Sequence, residues 1–547
     1  MLFIPIISPY ILNTLEKIKK LINIGILFSC IYSIYGILQF FKLDPFYFVQ
    51  SAGERVFSFF INPNYFAPII LIFFYLSLNK VLFENEKIYL ISLILNLTSI
   101  IFTQTFTTFL SLIISFPVYI FLSLKFFPEY KRKFIKFILI IVLFFIIISN
   151  FSIFFLNKYN QYLLKRYINL VTLKTRVYLW RDIGNMIKNE FGIKEYLIGI
   201  GGENLNKKFM PYKSSELERI EPDFLYDNAH NEYIDQFIKG GILQFISYIL
   251  IIFYSLSILL SIIKRNGESK ETSFFIFISL LAYSINLIGT YETFQMFLFL
   301  CFLLSIVNSL IILEFKNYLN FKFFNLFIIL FLFLAFLNFN YHTYLKLYTD
   351  YINKGYNTLS FYEYIKEFER EDSLQYLKES ERYLLKSQKF NPFDKTFVPY
   401  YLSKIYYLYA VELNDINYIY KSIKILNENL NITQYPNSYY NLMGKEYYYL
   451  KELEKAKDCY KKSIKWSKFY TEPILSLTKI YIDEINLNDA EKYIEIILSV
   501  KENAVAYRLK GIIYLKKGEL EHAKKYLKRS IELGDKEAEK IIKSIDN

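Results

Sequence analysis

As far as Leu345 the chain runs in long stretches without a charge: Leu21–Phe41, Val56–Asn79, Ile88–Leu124, Phe137–Asn157, Gly240–Ile263, Thr272–Tyr291, Thr293–Leu313 and Phe323–Leu345. A helix needs about 20 apolar residues to cross the hydrocarbon of a bilayer. Ile88–Leu124 is too long for one such helix. Its middle, Thr103-Gln-Thr-Phe-Thr-Thr108, is polar enough for a tight turn between two shorter ones. The pattern therefore predicts nine spans, near 20–41, 63–79, 88–103, 107–124, 137–156, 242–263, 272–290, 294–313 and 323–341.

The polar positions between the runs give an orientation. Five basic clusters fall on one side: Lys17, Lys19 and Lys20; Lys80 and Lys87; Lys125, Lys131, Arg132, Lys133 and Lys136; Lys264, Arg265 and Lys270; Lys316 and Lys322. Opposite loops are nearly free of Lys and Arg, apart from Lys42 and Arg55 in the first. The clusters share a side only if 88–124 is a hairpin, and the positive-inside rule then makes the N-terminus cytoplasmic. The expected setting is the plasma or inner membrane, crossed many times. Two large segments face outward, the loop from Lys158 to Lys239 and the region from Tyr341 to Asn547.

From Ser373 onward the period changes to that of amphipathic helices. Three two-helix units align: Tyr440, Gly444, Tyr447, Ala456, Tyr460 and Ser463; then Ile474, Thr478, Tyr481, Ala490 and Ile494; then Tyr507, Gly511, Tyr514, Ala523, Leu527 and Ser530. The central alanines are 34 and then 33 residues apart. Small residues let paired helices approach, and aromatics fill the space between them. The pattern resembles the tetratricopeptide repeat, with a weaker unit ending at Ser380, Leu384, Ser387 and Pro392. The expected fold is all-α: a polytopic membrane domain over 1–341, with an outer loop 158–240 carrying the chemistry, and a solenoid of repeats over 342–547. Such arrays present a concave interaction face. The tail is expected to recruit an acceptor or protein partner and to leave the chemical step to the membrane domain.

Composition narrows the function. With 54% hydrophobic, 20% aromatic and 21% charged residues among 547, the chain is neither a soluble enzyme nor disordered. Three cysteines, Cys30, Cys301 and Cys459, cannot build a disulfide scaffold. The net charge of +13 flanks the spans or decorates the tail, so nucleic acid is not an expected partner. The opening run Met1–Leu12 is short, holds two prolines and precedes its basic residues, unlike a standard signal peptide.

The chemistry is sought in the outer loop. Only three histidines exist. His522 lies on a repeat helix, and His342 follows the last expected span. His230 sits in Tyr226-Asp-Asn-Ala-His-Asn-Glu-Tyr-Ile-Asp235, between Asn228, Asn231 and Glu232, just before Lys239-Gly-Gly241. An imidazole there can take a proton from a hydroxyl nucleophile; the plainer alternative is a surface histidine in a helix-cap region. Earlier comes Lys174-Thr-Arg-Val-Tyr-Leu-Trp-Arg-Asp182, in which Arg176 and Trp180 are four apart. Val177, Trp180, Ile183 and Ile187 form an apolar stripe, which reads as a helix at the membrane interface. Arg176 would then sit near lipid phosphates or simply snorkel. Between these segments, Leu197-Ile-Gly-Ile-Gly-Gly-Glu203 is a glycine turn and not a nucleotide loop, since no strand–helix unit surrounds it. Before the second span, Glu54-Arg-Val-Phe-Ser-Phe-Phe-Ile-Asn-Pro-Asn-Tyr65 places Arg55 ahead of the helix-opening turn Asn62-Pro63-Asn64. Two fixed guanidinium groups, Arg55 and Arg176, suit a pyrophosphate through bidentate bonds.

Taken together, the Arg-Val-Phe-Ser…Asn-Pro-Asn segment, the Arg…Trp segment followed by Gly-x-Gly-Gly, and the His-Asn-Glu-Tyr…Gly-Gly segment before a span resemble the O-antigen ligase and polymerase-like membrane family. The resemblance covers roughly 20–315, and some relatives carry a tetratricopeptide tail. There are two departures. Phe106 stands where the family often has an Arg in the hairpin, and fewer spans precede the first Arg motif than relatives usually have.

The resemblance implies a glycosyltransferase of cell-surface polysaccharide assembly. Without metal or cofactor, it moves a glycan from a polyprenyl-pyrophosphate carrier to the hydroxyl of a glycan, lipid or protein acceptor. His230 and Arg176 take the catalytic roles. Arg55, Asn64, Trp180, Asn231 and Glu232 take substrate-binding ones. The alternatives are an O-linked protein glycosyltransferase and a non-catalytic membrane-anchored scaffold.

Overall fold

A computed structural model describes residues 8, 10–43, 55–60, 62–136, 171–201, 204–222, 224, 226–314, 351–352, 354–360, 362–363, 373–390, 396–433 and 435–546. The described chain is helical throughout its regular elements. It divides into two compact units. One comprises 1–173, 192–200 and 228–331; the other comprises 174–191, 201–227 and 332–547.

The first unit holds α1 (Leu15–Phe40), α2 (Pro63–Leu82), α3 (Tyr89–Thr103), α4 (Phe106–Phe126), α5 (Ile193–Ile198), α6 (Glu232–Lys264), α7 (Lys270–Asn286) and α8 (Phe294–Glu314). Seven of the nine expected spans are thus helices; those at 137–156 and 323–341 lie outside the described residues, as does His342. Five helices are long and apolar enough to cross a membrane, and Tyr89–Thr103 is a shorter apolar one. The chain is accordingly a membrane protein.

The reason α2 occupies the middle is visible in its sequence. It is apolar all round, from Phe66 to Leu78, and every one of those residues is buried. Pro63 opens it at a position where no N–H is needed, and the Asn62 side chain accepts from the Asn64 amide at 2.9 Å. Polar side chains at this depth pair with one another. Asn96 on α3 accepts from Ser33 of α1 at 2.8 Å and donates to Ser29 at 3.2 Å. The expected hairpin is present. Gln104 ends α3 in the left-handed region at φ 49, and Thr105 is extended before α4 begins.

The second unit contains parts of the long loop that precedes α6, besides the repeats. Its loop helices are α9 (Val171–Glu190), which enters this unit at Lys174, α10 (Leu205–Phe209) and α11 (Ser215–Ile220). The tail supplies α12 (Ser373–Phe390), α13 (Phe397–Leu413), α14 (Asn417–Asn429), α15 (Pro436–Tyr449), α16 (Leu453–Trp466), α17 (Thr471–Asp483), α18 (Leu487–Leu498), α19 (Ala504–Lys516), α20 (Leu520–Glu532) and α21 (Lys536–Asp546).

The repeat alanines Ala456, Ala490 and Ala523 are fully buried. A Cβ on Gly444 would lie 2.6 Å from the Tyr460 ring, and one on Gly511 would lie 2.7 Å from Leu527, so these glycines let paired helices close. Ser463 donates to the Asn437 carbonyl and Ser530 to that of Ala504, at 2.8 and 2.7 Å. The weaker unit repeats the device with Gly355 against Leu384 and Ser380 bonded to the Gly355 carbonyl. Its Pro392 lies outside the described residues.

Candidate functional site

In the first unit, Arg55 is tied down before α2 starts. Its Nε donates to the Thr103 carbonyl at 2.9 Å, and its Nη2 donates to Asn64 Oδ1 at 2.9 Å and Thr105 Oγ1 at 3.0 Å. The α3–α4 hairpin is therefore the seat of this guanidinium. The residues after Arg55 are clamped as well. Gln39 Oε1 accepts from the Phe57 and Ser58 amides at 3.2 and 2.8 Å, and Ser58 takes a left-handed turn at φ 53. Asn64 belongs with Arg55, as its partner through Oδ1.

His230 stands just before α6 in a left-handed conformation at φ 50, a region where histidine is enriched over most residues. Its amide donates to Asn228 Oδ1 at 3.1 Å. Asp235 Oδ1 accepts from the Ala229 amide at 2.9 Å, which pins the preceding residue. Asn231 is the N-cap of α6, its side chain accepting from Ile234 N at 3.2 Å. Glu232 fastens this turn to the α7–α8 connection. Its amide donates to the Leu287 and Thr290 carbonyls, and its Oε2 accepts from the Glu292 amide at 2.5 Å. Asp235 thus holds the backbone before the imidazole, and Asn231 and Glu232 hold it after.

The imidazole packs against Tyr291, ring centres 5.5 Å apart. The Tyr291 hydroxyl meets that of Tyr65, the residue after Asn64. A continuous path of named contacts therefore joins the Arg55 seat to the His230 turn.

Tyr65, Tyr291 and Glu292 are absent from the sequence-based assignment. Glu292 is half-buried, accepting from the Tyr283 hydroxyl at 2.7 Å. Burial, and then the neighbouring Glu232 charge, push its pKa up to about 8. Its signal was the one charge separating the runs Thr272–Tyr291 and Thr293–Leu313.

The glycine turn has a packing reason. Gly199 (φ 71) and Gly241 (φ 69) sit back to back. A Cβ on Gly199 would overlap the Lys239 carbonyl, and one on Gly241 would overlap that of Leu197. The contact is sealed by Ile200 N–H donating to the Ile238 carbonyl at 2.8 Å. Gly241 also interrupts α6, so the spanning part follows the kink.

Arg176 and Trp180 lie on α9 in the second unit. The buried face of α9 runs through Thr175, Arg176, Leu179, Asp182, Ile183 and Met186. The expected stripe through Val177, Trp180, Ile183 and Ile187 is corrected: Val177 is exposed. The helix is rotated because Asp182 is drawn inward to accept from the Ser214 amide at 2.9 Å, at the N-cap of α11. Arg176 is only 8% exposed. Burial lowers its pKa to about 10, partly offset by the Glu221 charge. At that value it keeps its charge at neutral pH.

These features define a class, a polytopic helical membrane protein in which segments of the long loop before α6 fold with a helical-repeat tail. Residues 91–249 match the model of the O-antigen ligase family, so the chain carries an O-antigen ligase domain over that stretch. The matched region takes in the hairpin, Arg176, Gly199, His230 and Gly241. No curated protein matches the chain. Among solved structures it is similar to a tetratricopeptide repeat protein from Parabacteroides merdae, at 16% identity over 34% of this chain and 66% of that one, with a TM-score of 0.27. It is similar too to MamA (20% identity, 36% and 95% of the two chains, TM-score 0.26) and to a thermophilic repeat protein of Thermus thermophilus (15%, 35% and 97%, TM-score 0.27).

Proposed function

We propose that the protein transfers a glycan from a polyprenyl-pyrophosphate carrier to an acceptor hydroxyl on the extracytoplasmic face of the membrane, with the N-terminus cytoplasmic and the repeat tail outside. The family match supports membrane glycan transfer in general. The observation that carries the finer reading is the linkage of a triply bonded Arg55 to His230 through Tyr65 and Tyr291.

In the proposed reaction the acceptor hydroxyl oxygen attacks the anomeric carbon. His230 takes its proton as the new C–O bond forms. The bond from that carbon to the carrier breaks, and the electron pair leaves on the lipid pyrophosphate. Negative charge grows on that leaving group, where Arg55 would stabilise it, and the sequence resemblance gives Arg176 the same role. A cation fixed in advance needs no reorganisation at that moment, which is the source of its catalytic value. Trp180 completes the proposed donor-binding segment on α9. Asn64, Asn231 and Glu232 keep the functional groups in place.

The test is reconstitution of the full chain in lipid vesicles with a defined lipid-pyrophosphate glycan, following release of lipid pyrophosphate. Release is expected from the wild type and lost in Arg55→Ala and His230→Ala. Surface-glycan assembly that survives both substitutions in cells but fails on deletion of 342–547 would favour the scaffold reading instead.

A further inference from the structure

The second unit holds an interface between the outer loop and the repeats whose spacing matches the repeats themselves. Arg219, near the end of α11, donates through Nε at 3.0 Å and Nη2 at 2.7 Å to the Ser499 carbonyl. Lys207, on α10, donates to the Asn431 carbonyl at 3.1 Å, and its ammonium lies 5.9 Å from the Trp466 ring centre. Asn431 follows α14, Trp466 ends α16, and Ser499 caps α18. These points are 35 and 33 residues apart, which is the repeat period. The loop therefore touches the same place, the C-terminal end of the second helix, in three successive units. Carbonyls at such ends lack intrahelical donors and carry the negative end of the helix dipole. Two loop cations on that ridge are the matching chemistry.

The loop side is braced. Lys213 forms a buried ion pair with Glu218 at 2.6 Å and donates to the Glu221 and Phe224 carbonyls at 2.9 and 3.2 Å. The Tyr226 hydroxyl bonds to Glu221. Asp182 joins α9 to the start of α11 through the Ser214 amide. A contiguous set of contacts thus leads from the Ser499 carbonyl through Arg219, α11 and Asp182 to the helix that bears Arg176.

We propose that the ridge of helix ends on the repeat array is the docking surface for the outer loop of the same chain, and that this docking positions the Arg176 helix. The concave face is left for an external partner. A partner that reshapes the array is then coupled to the loop, and the coupling is reciprocal: whatever orders the loop tightens the array.

The experiment is hydrogen exchange on the full chain in lipid nanodiscs, comparing wild type with the double variant Lys207→Ala/Arg219→Ala. Arg219 is exposed and Lys207 half-buried, and neither belongs to an apolar core, so the substitutions spare the cores. Peptides covering 205–220 are expected to exchange about fivefold faster, the size set by about 1 kcal/mol of exposed charge-assisted bonding. Peptides from α15 to α20 should keep their wild-type rates, and Arg219→Lys, which loses the forked pair, should fall between. Unchanged exchange in the loop overturns the proposal. Faster exchange spread through the repeats overturns it too, because the contacts would then serve the array's own folding. This readout does not depend on the glycan-transfer reading, so either can fail alone.

Discussion

Replacing Gly241 by alanine tests the lock between the glycine turn and α6. At φ 69 and ψ −169 the residue occupies a region that is essentially glycine-only, costing another residue roughly 1–3 kcal/mol. The added methyl would overlap the Leu197 carbonyl and the Ile198 amide, which are backbone and cannot swing aside. Relief requires the turn to lift off α6. That breaks the Ile200–Ile238 hydrogen bond, worth about 1 kcal/mol net. The total is about 2–4 kcal/mol, which corresponds to a fall of about 3–7 °C in the apparent Tm of a unit this size. The assay is thermal unfolding in detergent, with Gly184→Ala measured beside it. Gly184 lies in helix α9 with open space around its would-be Cβ, so alanine there should be neutral or stabilising by up to about 1 kcal/mol. A Gly241→Ala protein that melts with the wild type and keeps the Ile200 amide protected would refute the reasoning.

Arg55→Lys should lose most of the activity of the wild type, since one ammonium cannot serve Thr103, Thr105 and Asn64 in a fork; Arg55→Ala should lose about 10²–10³-fold, measured as lipid-pyrophosphate release. Impermeant cysteine labelling should give opposite results at 125–136 and at residue 540, and labelling of both from outside would reverse the proposed topology. Glu292 has a raised folded-state pKa, so the folded protein holds its proton over a range where the unfolded chain has lost it. Its contribution to stability is present below about pH 4.5 and is lost as pH rises through about 8, so Glu292→Gln should flatten the decline of apparent Tm between pH 5 and 8.5.

The membrane fold was legible because hydrocarbon demands one signature, a long apolar run. Even the hairpin could be read, since Thr103 to Thr108 broke a run too long for one helix. The repeats were legible for a related reason: only small residues fit where paired helices touch, so Gly444, Ala456, Gly511 and Ala523 recur in register. The face of α9 was misread by the same kind of reasoning. Hydrophobic periodicity ranks Arg176 and Asp182 as solvent-facing. Yet Asp182 turns inward to the Ser214 amide, and Arg176 shares that buried face. A partner supplied by a distant segment leaves no trace in the local period.

The site shows the same division more sharply. His230 was singled out by the scarcity of histidine and its place before a span, and Arg55 by its place ahead of the helix-opening turn. What holds them was only partly visible. Asn64 stands nine residues from Arg55 and was read as a ligand-binding residue, whereas its Oδ1 accepts from the guanidinium. Glu232, in the His230 turn, is held by the backbone amide of Glu292, sixty residues away. Glu292 is the single acid between two apolar runs, and its carboxylate accepts from the Tyr283 hydroxyl. A search of every charge at a span junction would have reached Glu292 and, beside it, Tyr291. Fixing the imidazole requires something outside its own turn to hold it, and in this chain the α7–α8 connection supplies that hold.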